Sequence, residues 1–354
     1  MRILIIALSG IGDALMFTPA LKLLKQAYPN SQIDALVMFK GVEDIYSRLE
    51  EINKIHLHDY LKASKLNSLS FTLSLRGRYD LSINVYPANR KEYNLISFLI
   101  GAGKRAAVNY LRQGNSNLSF LNNILTVEDD SLHNVDENIK LIEKVTGKLF
   151  EERPPLNFPL RNDETSFAEK LLLSLGIKEE DKVIGLHPGC ATLKNHTKRR
   201  WEPEKFSRLA RLLIHGFNAK VLIFGGPDEM TLKEKVSYGI NSPNAFTVDT
   251  KSLAETAAVM KRCNLFITND SSLMHVASAM KLKTVAVIGP TNTNYIHPWQ
   301  TEYKIASLNL DCAPCFHYSP KPLTCSRTDL QFKCIKELEV EQVYKTAEEF
   351  LRMD

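Results

Sequence analysis

The sequence contains no run of the ~20 apolar residues that a membrane-spanning helix requires. Met1-Arg2 leads directly into a short apolar stretch, without the longer segment and small-residue cleavage site of a secretory signal. Both absences point to a cytoplasmic protein. Charge of one sign is also scarce: 45 Lys and Arg against 40 Asp and Glu leave a net charge of +5. That excess is too mild to indicate nucleic acid, and no RNA- or DNA-binding motif accompanies it. It does suit an anionic substrate, or a membrane surface that carries one. Internal repeats and low-complexity tracts are absent. Glycine is missing at one telling position: Gly10-Ile11-Gly12 lacks the third glycine of a nucleotide-binding fingerprint, and Leu15 stands there instead.

What is present is a chain of 354 residues, 44% apolar and 24% charged, the composition of an ordinary globular protein. Its length exceeds that at which a single core usually keeps growing, so two domains are expected. Strand-like and helix-like segments alternate almost throughout. Arg2 to Leu8 is an apolar run suited to a strand buried on both faces of a parallel sheet. Ile33 to Val37, Leu81 to Val85 and Arg105 to Val108 read as further strands, with helical patterns at Ala20 to Ala27 and Tyr93 to Ile100. Thr18-Pro19 has the form of a cap followed by proline at a first helical position, which predicts that the main first helix begins there. Three prolines in Arg153 to Pro159 read as an interdomain linker, after which the alternation restarts. Strands are expected at Val183 to Leu186, Lys220 to Phe224, Ala245 to Val248, Leu265 to Thr268 and Thr284 to Ile288.

The expected fold is therefore α/β, with two Rossmann-like domains facing across a cleft. The boundaries are residues 1–152, a linker at 153–160, a second domain at 161–336 and a C-terminal helical segment at 337–354 that packs on one domain or bridges both.

Three strand ends in the second half carry chemistry. Thr268-Asn269-Asp270-Ser271-Ser272 and then His275 put an acid, hydroxyls and an imidazole where a strand becomes a helix. Helix N-terminal N–H groups there favour a phosphate or carboxylate, although Asp270 and Ser271 could equally serve as a cap. His275, on the first turn of that helix, has no use in a cap. Gly185 to Gly189 and the basic cluster Lys194, Lys198, Arg199, Arg200 suit a diphosphate, or form a solvated charged loop. Gly225-Gly226-Pro227-Asp228-Glu229 offers acids for ribose hydroxyls, or a turn that starts a helix. In the first half, Ser9 to Asp13 is either a capped strand-to-helix turn or a site with an acid at its mouth.

In order and spacing these pieces resemble the heptosyltransferases of lipopolysaccharide core assembly, glycosyltransferase family nine, which have the GT-B fold of two Rossmann-like domains. The marks are Gly10-Ile11-Gly12-Asp13 with Thr18 to Leu21, Tyr79-Asp80, Lys198 to Trp201, Gly225-Gly226-Pro227, Asp270 to His275 with Ala277, Gly289-Pro290-Thr291 and the late cysteines. The resemblance implies transfer of a sugar from a nucleotide donor, typically ADP-heptose, to a phosphorylated saccharide or glycolipid acceptor, with inversion and without a metal or cofactor. It implies Asp13 as the catalytic base, Asp270, Ser271, Ser272 and His275 as the loop holding donor phosphate and sugar, and Asp228 or Glu229 as the ribose acid. Lys198 and Arg199 would meet the diphosphate and Gly226 the donor, with Gly12 on the acceptor side; Arg90 and Lys91, on the loop after a central strand of the domain that bears Asp13, would by that position bind a phosphorylated acceptor, or form a solvated loop. Two departures stand out: Ser272 replaces the glycine usual in that loop, and Arg199 occupies the place of a phosphate-binding lysine, with Lys198 beside it.

A leaving diphosphate gathers negative charge, which the basic loop and the helix N-terminus at Ser271 would stabilise, while Asp13 takes the acceptor's proton. Closure of the cleft would exclude water. Contact with the cytoplasmic membrane face fits a lipid-linked acceptor. Two other functions share parts of the pattern: a nicotinamide-dependent oxidoreductase, disfavoured by the missing glycine, and a non-catalytic nucleotide-sugar-binding protein, disfavoured by Asp13. Cys312, Cys315, Cys325 and Cys334 form a structural cluster of thiols or of metal ligands, outside the chemistry.

Overall fold

The computed structural model describes residues 1–318 and 321–352. Residues 319, 320, 353 and 354, which belong to the expected second domain and C-terminal segment, lie outside the described residues. The chain divides into two compact units, Met1–Pro159 together with Tyr318, and Leu160–His317 together with the chain from Lys321. No helix among the described residues is long and apolar enough to cross a membrane.

The first unit is built on β1 (Arg2–Ala7), β2 (Gln32–Val37), β3 (Lys54–Leu57), β4 (Leu81–Asn84), β5 (Lys104–Asn109) and β6 (Ile124–Val127). They form one sheet in the order β3-β2-β1-β4-β5-β6, every pair parallel. The second unit holds β7 (Val183–His187), β8 (Lys220–Ile223), β9 (Ala245–Thr247), β10 (Leu265–Asn269), β11 (Thr284–Val287) and β12 (Tyr303–Ala306). Its order is β12-β11-β10-β7-β8-β9, again all parallel. Counted from its own first strand, each sheet runs 3-2-1-4-5-6, the doubly wound Rossmann order. The α/β architecture expected from the alternation is thus repeated in both units.

Parallel pairing needs a crossover between strands, and the apolar central strands are what such a sheet buries on both faces. Residues 3–7 of β1 and all of β4, β7, β10 and β11 are buried. In the second unit Trp201, Phe206, Leu213, Ile223, Ile267 and Val287 share one apolar cluster with Val343, Phe350 and Leu351. The last three lie on the C-terminal Val340–Leu351 helix, whose buried stripe therefore belongs to this unit. Trp201 is locked further, its indole N–H donating to the Leu338 carbonyl at 2.8 Å.

One expectation is corrected. The first helix does not start at Thr18-Pro19 but spans Ile11–Ala27, with Pro19 inside it. Proline cannot donate to the carbonyl four residues back, here that of Leu15. The Thr18 hydroxyl donates to that carbonyl instead, at 2.8 Å. The Thr18 oxygen in turn accepts the Asn157 N–H at 2.9 Å, tying the extended segment after the first unit's last helix to this point.

Open parallel sheets bind ligands beyond the carboxyl ends of their strands, where the strand order reverses. That point lies between β1 and β4 in the first unit and between β7 and β10 in the second. The ends of these four strands, or the segments that follow them, carry Asp13, Arg90, His187 and Asp270.

Candidate functional site

At the switch point of the first unit, Gly10 precedes the Ile11–Ala27 helix in extended backbone, and Asp13 is the acid of its first turn. Asp13 Oδ2 accepts the Gly10 N–H at 3.0 Å, so the side chain folds back over the helix N-terminus. This is the capping geometry of an N3 acid, and it fixes the carboxylate at the mouth of the loop. Tyrosines surround it. The Tyr93 hydroxyl donates to the Leu8 carbonyl at 2.9 Å, and burial, opposed by Arg90 and reinforced by Asp13, pushes Tyr93 up to about 12. Burial raises Tyr46 and Tyr110 as well, and the Asp13 charge acts on both in the same direction. Arg90 ends the loop after β4 and immediately precedes the Lys91–Ile100 helix; Lys91 is exposed. Gly12 is buried within the first helix.

The second unit gathers a denser set of charges. Arg199 and Asp270 are 8% and 6% exposed. The Arg199 guanidinium donates through Nη1 to Asp270 Oδ2, and the Thr291 hydroxyl donates to the same oxygen at 2.6 Å. Arg199 Nη2 lies 3.2 Å from His196 Nδ1, and the guanidinium stacks 5.3 Å from the Phe316 ring centroid. Burial, joined by the Arg199 charge, drives His196 down to about 4 against the opposing pull of Asp270.

Beside this pair lies a second network. Glu229 Oε2 accepts from His187 Nε2 at 3.0 Å and from the Gly226 N–H at 3.1 Å, while Oε1 accepts from Arg200 Nη2 at 3.2 Å. Burial acts to raise the Glu229 carboxyl, but the His187 hydrogen bond, the Gly226 N–H and Arg200 together hold it below the ordinary glutamate range. The carboxylate closes over Gly189 so tightly that a Cβ there would stand 1.8 Å from Glu229 Oε1, which is why this loop needs glycine. Asp228, one residue earlier, is exposed. Three of the roughly four acceptor positions of the Glu229 carboxylate are therefore filled by protein groups.

The other side of His187 reaches the phosphate loop expected from sequence. Its Nδ1 is 2.9 Å from Ser271 Oγ and 3.3 Å from Thr268 Oγ1. Ser271 caps the Ser272–Ala279 helix by position, but its side chain makes no capping bond. Ser272, whose Cβ replaces the hydrogen of the usual glycine, is the first residue of that helix and half-buried. His275 is 4% exposed, and burial depresses it to about 4 in spite of the Asp270 charge.

The structure thus brings Arg199, Asp270, Ser271 and Glu229 into two adjoining networks, and leaves Lys198 and Asp228 exposed outside them. Reading the residues in sequence order places Arg200 in the basic cluster but assigns no role to His187, Thr291 and Asn269, which help knit these loops; Asn269 Oδ1 accepts the Trp201 N–H at 3.0 Å, and its amide donates to the Pro188 carbonyl at 2.7 Å. The signal available for His187 was its place at a strand end directly opposite Thr268. Within these networks Arg199 Nε, Arg200 Nε, His196 Nε2 and His275 Nδ1 are buried and make no hydrogen bond among the described residues. Buried polar atoms are nearly always paired, so such a concentration marks where a polar ligand would complete the set.

The late cysteines stand apart. All four are free thiols, and Cys325 accepts the Phe332 N–H at 3.3 Å beside the small apolar cluster of Phe316, Leu323 and Phe332. Burial, with the neighbouring thiols of Cys315, Cys325 and Cys312 acting the same way, pushes Cys334 up to about 11. Among the described residues no group of three or more His, Cys, Asp or Glu side chains is arranged to hold a metal ion.

A twice-repeated Rossmann sheet, with an acid at one switch point and a cationic loop set at the other, has the architecture of the GT-B class of glycosyltransferases. Two solved structures share the fold over essentially the whole chain: a family 9 glycosyl transferase from Veillonella parvula, with 22% identity, TM-score 0.77 and 100% of this chain and 97% of that one covered, and the Escherichia coli ADP-heptose LPS heptosyltransferase II, with 20% identity, TM-score 0.74 and 100% and 99% covered. A lipooligosaccharide heptosyltransferase 2 of Campylobacter jejuni is 24% identical over 97% of each chain. The model of glycosyltransferase family 9 (heptosyltransferase) matches residues 69–324, well over half the chain, and the protein belongs to that family. The nicotinamide-dependent alternative falls with this membership.

Proposed function

We propose that this protein transfers a heptose from ADP-heptose to a phosphorylated saccharide of the lipopolysaccharide core, inverting the anomeric centre without a metal. The observation that carries the reading is the concentration of buried, unpartnered polar atoms on Arg199, Arg200, His196 and His275 at the second unit's switch point. Guanidinium and imidazole donors beside an uncapped helix N-terminus are suited to a diphosphate. The relatives' names supply the sugar and the acceptor class.

In the reaction, an acceptor hydroxyl oxygen bonds to the anomeric carbon as the bond from that carbon to the β-phosphate oxygen breaks. The electron pair leaves with the nucleoside diphosphate, whose growing charge meets Arg199, Arg200 and the first-turn N–H groups after Ser271. The hydroxyl proton passes to the Asp13 carboxylate. Asp228, or the remaining acceptor position of Glu229, takes a ribose hydroxyl. The first unit supplies base and acceptor site, the second the donor site. Peripheral association with the cytoplasmic membrane face would bring the enzyme to a lipid-linked acceptor.

The test is turnover of ADP-heptose against UDP- and GDP-sugars with a phosphorylated core acceptor, in excess EDTA, with the product linkage assigned by NMR. Transfer from ADP-heptose with inverted anomeric configuration is expected. Exclusive use of another nucleotide sugar, retention of configuration or loss of activity in EDTA would each overturn the corresponding part. Co-flotation with anionic vesicles carrying the acceptor tests the membrane contact.

A further inference from the structure

His187 is the last residue of β7 and lies opposite Thr268 of β10 in the parallel register, with both side chains buried. Its ring joins two loops that donor binding would use. Nε2 faces Glu229 Oε2 at 3.0 Å and Nδ1 faces Ser271 Oγ at 2.9 Å. An ionised carboxylate only accepts hydrogen bonds, and Glu229 is held below the ordinary glutamate range. Nε2 therefore carries the ring proton, and in the neutral ring Nδ1 accepts from the Ser271 hydroxyl.

This changes what Ser271 does. A serine in the N-cap position ordinarily turns its oxygen onto the N–H of the second or third helical residue. Here no side-chain capping bond is made, because the hydroxyl is engaged with His187 and with Thr268 Oγ1 at 3.1 Å. The N–H groups of Ser272 and Leu273, first and second in the helix, have no intrahelical acceptor. One turn on, His275 Nδ1 is buried without a partner and its ring feels the Asp270 charge.

We propose that His187 is a positioning residue for the donor diphosphate: it holds the Ser271 hydroxyl away from the helix N-terminus, so that the first-turn N–H groups remain available to phosphate oxygens. The inference rests on the donor-site reading above. Removal of the ring frees the serine to cap its own helix, and the cap then competes with the ligand.

The experiment is calorimetric titration of the full-length protein with ADP, together with donor and acceptor KM values, for wild type, His187→Phe, Ser271→Ala and the double variant. Thermal unfolding confirms that each is folded, and His187→Leu answers the same question if the phenylalanine variant is not. His187→Phe should weaken ADP binding and raise the donor KM ~10-fold, the scale of one charge-assisted hydrogen bond, with the acceptor KM unchanged. Adding Ser271→Ala should restore ADP binding to the level of Ser271→Ala alone, since no hydroxyl remains to cap. His187→Gln, which can donate to Glu229 and accept from Ser271, should bind close to wild type. Unaltered ADP binding in His187→Phe, or a double variant no better than His187→Phe, overturns the inference and leaves the donor site standing. A wild-type protein that does not bind ADP overturns the donor-site reading and this inference with it.

Discussion

The two units share one sheet topology but differ in how particular acids near their switch points are held. In the second unit Asp270 and Glu229 each pair with a guanidinium, Arg199 on the first and Arg200 on the second, and the His187 ring N–H also donates to Glu229. In the first unit, Asp13 is held by a backbone N–H, and Glu128 accepts from the Tyr86 hydroxyl at 2.8 Å and the Leu111 N–H at 3.0 Å. Glu137 accepts from a backbone N–H and from the half-exposed Lys140. Burial raises Glu128 and Glu137, whereas Glu229 ends up lowered. Carboxylates pinned by cations are poor proton acceptors and good fixtures.

Removing the fixture should have the largest effect. Asp270→Ala leaves Arg199 buried without its charge partner, a change that typically costs roughly 3–5 kcal/mol. The expected outcome is a large drop in the unfolding midpoint together with weakened ADP binding, read by calorimetry. Unchanged stability would mean that Arg199 finds another partner and that the pair is not the fixture described here.

On the other side, Asp13→Asn preserves size and hydrogen-bonding reach but removes basicity. Turnover should fall by ~10²-fold or more while donor affinity survives. Near wild-type turnover with the native acceptor would remove Asp13 from the chemistry and leave it a helix cap.

The contrast between interior and edge explains how much of this could be read in advance. The central strands β1, β4, β7, β10 and β11 announce themselves as apolar runs because both faces are covered. Three edge strands, β3 with Lys-Ile-His-Leu, β6 with Ile-Leu-Thr-Val and β12 with Tyr-Lys-Ile-Ala, were not recognised, since half-exposed edges lose that signal. Pro19 misled for a local reason, the Thr18 hydroxyl having replaced the missing donor. The site's residue types were legible as strand-end loops, but their pairings were not. Arg199 and Asp270 are 71 residues apart and His187 and Glu229 are 42 apart, and only the shared sheet brings each pair together.

A third prediction sharpens the contrast away from the chemistry. Glu137 is buried on the Asn134–Thr146 helix, with Oε2 unpartnered and its carboxyl pushed up to about 7, chiefly by burial against the opposing pull of Lys140. Folding raises this pKa, so its stabilising contribution is complete below the ordinary glutamate range and is lost as pH rises toward 7. Glu137→Gln should abolish that slope, leaving the variant more stable than wild type by roughly 1–3 kcal/mol at pH 8 and nearly equal at pH 4.5. Parallel stability curves for the two proteins between pH 4.5 and 8 would show that the acid is charged throughout.

The smallest effect is expected at Arg90 and Lys91, which follow β4 of the first unit. Arg90 precedes the Lys91–Ile100 helix without a side-chain capping bond, so alanine there should cost the helix little. Its charge reaches Tyr93, where it opposes that of Asp13. A guanidinium there can pair with an acceptor phosphate. Arg90→Ala with Lys91→Ala should raise the KM for a phosphorylated acceptor ~3–10-fold, the scale of one or two exposed charge contacts. The effect should shrink with added salt and vanish with a dephosphorylated acceptor, while donor KM and kcat stay as they were. Equal losses with both acceptors would mean that the loop shapes the site sterically, and unchanged kinetics would remove these two residues from the acceptor side.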